Sequence, residues 1–157
     1  THYTTSLCMR LLDETVSSGM TVFDVGTGSG ILAISAAKLG AASVQAVDLD
    51  NLAVKTASEN VRLNEVDRIV RVAQGDLLTG ITGQADIIVA NIVADVIIRL
   101  LSDVPGRLSD GGLFIASGII TERLSDVTAV MLANNLAVER VIEEGGWAAI
   151  AARKGDA

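Results

Sequence analysis

Val22-Phe23-Asp24-Val25-Gly26-Thr27-Gly28-Ser29-Gly30-Ile31-Leu32 is the stretch that decides the fold. A short apolar run reads as a buried strand, passes through glycines spaced G-x-G-x-G, and continues into a helical pattern. Glycines at such a turn let the backbone reverse sharply and let a ligand approach without meeting a Cβ. Two acids strengthen the reading beyond a plain βα turn. Asp24 sits two residues before the first glycine, and Asp48 ends the next strand, 22 residues after Gly26.

Working outward, apolar runs alternate with helix-period segments, the pattern of βαβ units. Thr4 or Thr5 is expected to cap a first helix that turns Leu7, Leu11 and Leu12 inward and is closed by Gly19. Strands are predicted at Thr21–Val25, Ser43–Val47, Ile69–Ala73, Ala85–Ala90 and Leu113–Ser117, the last opened by Gly111-Gly112. Helices are predicted at Ile31–Leu39 (ended by Gly40), Asn51–Leu63, Val93–Leu101 and Thr121–Ala133. Ala137–Val141 and Trp147–Ala152 form a closing antiparallel hairpin across Gly145-Gly146. The fold class is therefore α/β, a Rossmann-like, seven-stranded, mostly parallel sheet whose last strand is antiparallel.

Composition agrees. The 157 residues suffice for one domain, and half are hydrophobic while only 3% are aromatic. An aliphatic core of that kind suits a sheet covered by helices on both faces. The net charge of -7, with Lys and Arg scattered, argues against a large nucleic-acid footprint. The only cysteine, Cys8, excludes an internal disulfide and points to a reducing, cytoplasmic setting. No apolar stretch has membrane-spanning length, so no membrane association is expected. The chain opens on Thr1 instead of methionine, which predicts further sequence upstream.

The third glycine arbitrates between cofactors. A dinucleotide fingerprint is G-x-G-x-x-G; here the third glycine comes one residue early and position 31 is Ile. The tighter loop with a preceding acid resembles the S-adenosylmethionine (AdoMet) motif of class I methyltransferases, with Gly26, Gly28 and Gly30 as its glycines. Asp48 is the residue type that accepts hydrogen bonds from both ribose hydroxyls, whereas Asp50 is better explained as a helix N-cap. Asp24 is placed either to hold the ammonium at the cofactor's methionine end or to cap the loop backbone. Asp76, after the third strand, is either an acceptor for the adenine amino group or a turn former. Asn91 leaves the fourth strand beside the expected methyl donor. It is either a turn residue or an amide whose oxygen orients an attacking amine. Enzymes that methylate planar amides carry N-P-P-aromatic there; Ala94 and the absence of an aromatic favour a flexible alkyl amine. No metal site is expected.

With these residues assembled, nearly the whole chain resembles one family, the methyltransferases of large-subunit ribosomal protein L-eleven (PrmA family). His2-Tyr3-Thr4-Thr5-Ser6-Leu7-Cys8 is similar to its H-P-T-T-x-L-C, Asp24 to Leu32 to its glycine motif, Asn91 to Ala94 to its N-I-L/V-A, and Ser117-Gly118-Ile119-Ile120 to its S-G-I-L/I. The resemblance implies AdoMet as cofactor, contacts from Thr5, Gly26, Asp48 and Asn91, and a protein acceptor, expected to be a ribosomal protein. His2 is placed either to help close the site or simply to be solvated near the chain end. The family's proline is Tyr3 here. The family also has an N-terminal domain that grips its substrate, so residues 1–157 would be the AdoMet-binding domain alone.

Methyl transfer from a sulfonium is an in-line displacement in which placement, about 3–3.5 Å from nitrogen to methyl carbon, does most of the work. A lysine amine, ordinary pKa about 10.4, must first lose its proton. Asp95, one turn beyond Asn91, is the one candidate base. Three other readings remain: a methyltransferase for another protein or a small molecule, an AdoMet-binding module inactive alone, and an NAD-linked oxidoreductase.

Overall fold

A computed structural model describes residues 2–155; the side chain of His2, considered for closing the site, lies outside the described residues. Strands β1 (Thr21–Val25), β2 (Ser43–Asp48), β3 (Val70–Gln74), β4 (Ala85–Asn91), β5 (Leu108–Ile120), β6 (Leu136–Glu144) and β7 (Trp147–Lys154) form one sheet in the order β3-β2-β1-β4-β5-β7-β6. The first five run parallel, while β7 is antiparallel to both β5 and β6. Among the described residues six α-helices accompany them: α1 (His2–Thr15), α2 (Ile31–Lys38), α3 (Asn51–Leu63), α4 (Ala94–Leu100), the short α5 (Val104–Arg107) and α6 (Leu124–Ala133).

Period-two alternation along the strands divides the core between the two faces. Ile87 and Val89 of β4 join Leu7, Leu11 and Ala33 beneath α1 and α2, while Ile88 and Ala90 join Phe23, Leu100 and Val127 beneath α4 and α6. Every one of these side chains is buried. The sheet is thus covered on both faces, which is why its strands read as nearly continuous aliphatic runs.

The chain departs from β1 toward β2 and β3, then returns to place β4 on the other flank of β1. That reversal opens a crevice beyond the carboxyl ends of β1 and β4, where open α/β sheets bind ligands. Gly26 and Asn91 lie at its two lips.

Several boundaries differ from expectation. Thr4 and Thr5 lie inside α1, which already includes His2, so neither caps it; Thr4 is buried. Gly19 falls four residues beyond α1, in the turn into β1, where its N–H donates to the Gly40 carbonyl. β5 begins at Leu108, not at Gly111-Gly112, because Leu108 pairs with Ala85 and the next residues bulge out before Leu113 meets Ile87. A second irregularity in β5 lies between Ala116 and Ile119, where one extra residue is inserted against β7. Bulges of this kind re-aim side chains beside active sites. The hairpin turn has positive φ at both Gly145 and Gly146, the type I′ geometry that matches strand twist.

Candidate active site

The glycine turn is built on backbone bonds. The N–H groups of Gly26 and Thr27 both donate to the Val47 carbonyl at 2.9 Å, tying the turn to the end of β2. Gly26 has φ +74, and a Cβ there would lie 2.8 Å from Ile92 Cγ2. Its lack of a side chain is required both by the left-handed backbone and by the close approach of the β4–α4 connection. Gly28 exposes its backbone and donates from its N–H to Asp48 Oδ2 at 2.9 Å. Gly30 has a different task. It precedes α2, and a Cβ there would press on Ala57 of α3 at 3.2 Å, so it serves helix packing.

Asp48 closes the other side of the turn. Its Oδ1 accepts from the Asp50 N–H at 3.0 Å while Oδ2 takes the Gly28 N–H, so the carboxylate bridges β1 and β2 at their carboxyl ends. Half-buried and with lone pairs to spare, it remains able to accept further hydrogen bonds. Asp50 is the N-cap of α3, accepting from the Leu52 N–H at 3.0 Å, as its position predicted. A cleft of about 290 Å³ brings together Gly26, Asp48, Asp76, Leu77 and Ile92. A cavity of similar size lies at the amino ends of the strands beside Asp86, but both Asp86 oxygens are occupied there, by the Thr21 N–H and the Ser109 hydroxyl.

Asp24 lies beneath the turn, fully buried on β1. Burial pushes its carboxyl up to about 6; the Thr27 hydroxyl, donating at 2.6 Å, and the Ala33 N–H pull it down, and the charge of Asp48 adds to the rise. Its Oδ1 has no hydrogen-bond partner. The loop-capping role is therefore visible in the Thr27 contact, while one acceptor stays open. Cys8 lies close enough to feel this carboxylate. Burial first, and Asp24 second, push its thiol well above the ordinary range, so Cys8 is a protonated core residue.

Thr5 and Asn91, 86 residues apart, meet because α1 packs across β4, β5 and β7. Asn91 Nδ2 donates to Thr5 Oγ1 at 3.4 Å. The buried Ser117 hydroxyl donates to the Thr4 carbonyl at 2.7 Å and fixes the start of α1 to β5. Gly118, φ +85, follows in the bulge; a Cβ there would lie 2.7 Å from the Ile92 carbonyl and 3.2 Å from Asn91 Oδ1. The missing side chain leaves room beside the Asn91 amide oxygen. In the sequence Ser117 appeared as the end of a strand and Gly118 only as part of a family pattern. A glycine directly after a buried strand residue was the one local signal of their role.

One expectation needs correction. Asp95 is an exposed acid paired with Arg123 at 2.8 Å, its side chain 81% accessible, and so lacks the buried, unpaired state of a general base. Tyr3, in place of the family's proline, lies within the helical α1, and its ring fills the space a side chain at Gly145 would need. Among the described residues no group of three His, Cys, Asp or Glu is arranged to hold a metal. Among them, too, no helix is long and apolar enough to cross a membrane.

Residues 1–155 match the family model described as ribosomal protein L11 methyltransferase (PrmA). The chain belongs to the PrmA family. Curated members named ribosomal protein L11 methyltransferase include one from Heliobacterium modesticaldum, 54% identical over 154 residues, and one from Desulfitobacterium hafniense, 54% identical over 153 residues. Each match takes in 98% of this chain but 49% of the relative, so the chain spans about half the length of the curated PrmA proteins it resembles. The crystal structure of the ribosomal protein L11 methylase from Lactobacillus delbrueckii subsp. bulgaricus superposes with a TM-score of 0.90 at 35% identity, covering 99% of this chain and 81% of that one. The fold is that of class I methyltransferases, and the sheet described above is the PrmA family's version of it.

Proposed function

We infer that this protein binds AdoMet at the carboxyl ends of β1, β2 and β4 and transfers its methyl group to an amine of a ribosomal protein. The observation that carries the reading is the meeting of Asn91 with Thr5 beside the space left by Gly118, on the lip of the crevice that faces the Gly26–Asp48 turn. Family membership adds the acceptor class, since the relatives are named for a ribosomal protein.

The residues present fit the cofactor. Asp48 supplies charge-assisted acceptors for ribose hydroxyls, each worth roughly 1.5–3 kcal/mol. Gly26 and Gly28 let the backbone reach it, and Gly30 keeps α2 against α3 so that the turn holds its shape. Asp76 accepts from the adenine amino group at the far end of the cleft. Asp24, with a buried oxygen left unpartnered, provides the negative charge for the ammonium end, and Thr5 with Asn91 completes that side. Bound AdoMet supplies an activated methyl and a neutral leaving group, so the chemistry asks the protein mainly for placement. Asn91 is the catalytic residue: its Oδ1 accepts an N–H of the incoming amine and turns the nitrogen lone pair toward the cleft. With Asp95 paired to Arg123, loss of the amine's proton is assigned to burial beside the cationic sulfonium.

Residues 1–157 act as the AdoMet-binding domain, and recognition of the acceptor is assigned to the half of the PrmA relatives outside the matched region. A cytoplasmic location goes with a ribosomal acceptor and a lone, reduced Cys8.

The test is methyl incorporation from labelled AdoMet into purified ribosomal protein L11, with mass spectrometry locating the modified amine. Transfer to an alkyl amine that Asn91→Ala slows about a hundredfold supports the reading. AdoMet binding without transfer when residues 1–157 are joined to the half that the relatives add, or transfer to a small molecule instead, overturns the acceptor assignment.

A further inference from the structure

Three non-glycine residues among those described have positive φ: Glu65, Leu77 and Asn135. Glu65 and Asn135 each follow a helix C-cap, Asn64 and Asn134, where a left-handed residue commonly ends a helix. Leu77, φ +55, has no such excuse. It stands in the β3–β4 loop directly after Asp76, and both line the cleft assigned to the cofactor. A leucine held in this conformation persists only where its surroundings over-determine it.

The Thr79 N–H donates to the Asp76 carbonyl at 3.0 Å and closes a turn around Leu77, and the loop beyond it is held by Arg107, at the end of the short α5 and outside the cleft lining. Its guanidinium donates to three carbonyls of the loop: Nε to Gly83 at 2.9 Å, Nη1 to Leu78 at 3.2 Å, and Nη2 to Ile81. The group also lies 5.6 Å from the centroid of the Phe23 ring, a cation–π distance. Leu78 and Ile81 are buried in the same core cluster as Phe23. Three donors of one planar fork therefore fix the loop from its far side while two of its own side chains anchor it beneath. No lysine reproduces that pattern.

We propose that Arg107 is a positioning residue for adenine recognition, clamping the β3–β4 loop in the strained conformation that turns Asp76 and Leu77 into the cleft. The inference rests on the cofactor assignment above and adds to it a residue that touches no cofactor. Without the clamp Leu77 relaxes to negative φ, and the Asp76 carboxylate is no longer held opposite the adenine amino group. The ribose contact at Asp48 stays, because it is built on β2 and the glycine turn.

The experiment compares the calorimetric affinity of S-adenosylhomocysteine with that of S-inosylhomocysteine, which lacks the amino group, in the wild-type protein, Arg107→Met and Arg107→Lys. Wild type is expected to prefer the adenosine form by about tenfold or more, as loss of one charge-assisted bond implies. Arg107→Met reduces the preference to about twofold, and Arg107→Lys falls between. Amide exchange should quicken at residues 76–82 and stay unchanged in β1 and β4. Either variant that folds suffices, since the preference is a ratio within one protein. A lowered melting temperature with the full preference intact makes Arg107 merely structural and overturns the proposal. Equal affinity for both ligands in the wild type overturns it too, because there is then no adenine contact to position. Failure of the wild type to bind S-adenosylhomocysteine at all sinks the cofactor assignment itself, a result distinct from either.

Discussion

Asp24→Asn separates the cost of the buried acid from its use. A carboxyl whose pKa rises from its ordinary 3.8 to about 6 on folding binds its proton more tightly in the native chain by about 3 kcal/mol. The contribution to stability is complete below about pH 3.8 and is lost as pH rises through about 6, so at neutral pH the protein carries an ionised, incompletely partnered carboxylate in its interior. Between pH 8 and pH 5 this one group should stabilise wild type by about 1.4 kcal/mol relative to the asparagine variant. Asparagine can still accept from the Thr27 hydroxyl but fits the Ala33 N–H less well, a pH-independent offset. Urea unfolding of both proteins from pH 5 to 8 isolates the pH-dependent part by subtraction. Stability curves that stay parallel within about 0.3 kcal/mol would refute the buried-acid argument. At pH 8 the variant should also bind AdoMet more weakly, since the ammonium has lost its counter-charge.

Asp48→Ala should weaken AdoMet affinity by roughly one to two orders of magnitude in calorimetry. Asp50→Ala should leave affinity unchanged and lower stability by about 1 kcal/mol, the usual value of an N-cap. Asn91→Ala should lower turnover about a hundredfold at saturating AdoMet while changing S-adenosylhomocysteine affinity less than about threefold; equal losses in both would make Asn91 a cofactor anchor only. Gly118→Ala, forced into left-handed φ against the Ile92 carbonyl, should cost about 2 kcal/mol or more in denaturant unfolding and reduce turnover with it.

Local rules carried the sheet well. The glycine turn, β1 and α3 fall on the predicted residues, and Asp50 caps α3 as expected because a cap is set within a few residues of its own position. What escaped was decided at long range. Thr4 and Thr5 look like helix caps, yet α1 extends past them because Ser117, more than a hundred residues later, holds the Thr4 carbonyl. Gly111-Gly112 looks like a strand opening, but pairing with Ala85 draws β5 back to Leu108. Asp95 is suitably spaced from Asn91, and only the fold brings Arg123 to neutralise it. Arg107 is one more scattered cation in the sequence; its carbonyl partners come from a loop more than twenty residues earlier.

Calorimetric titration of the protein with AdoMet, and separately with NADH, tests the central claim most directly. A cleft built from Gly26, Asp48 and Asp76 should give saturable one-to-one binding of AdoMet and no heat of binding with NADH. Saturable NADH binding, or no binding of AdoMet, would contradict the account.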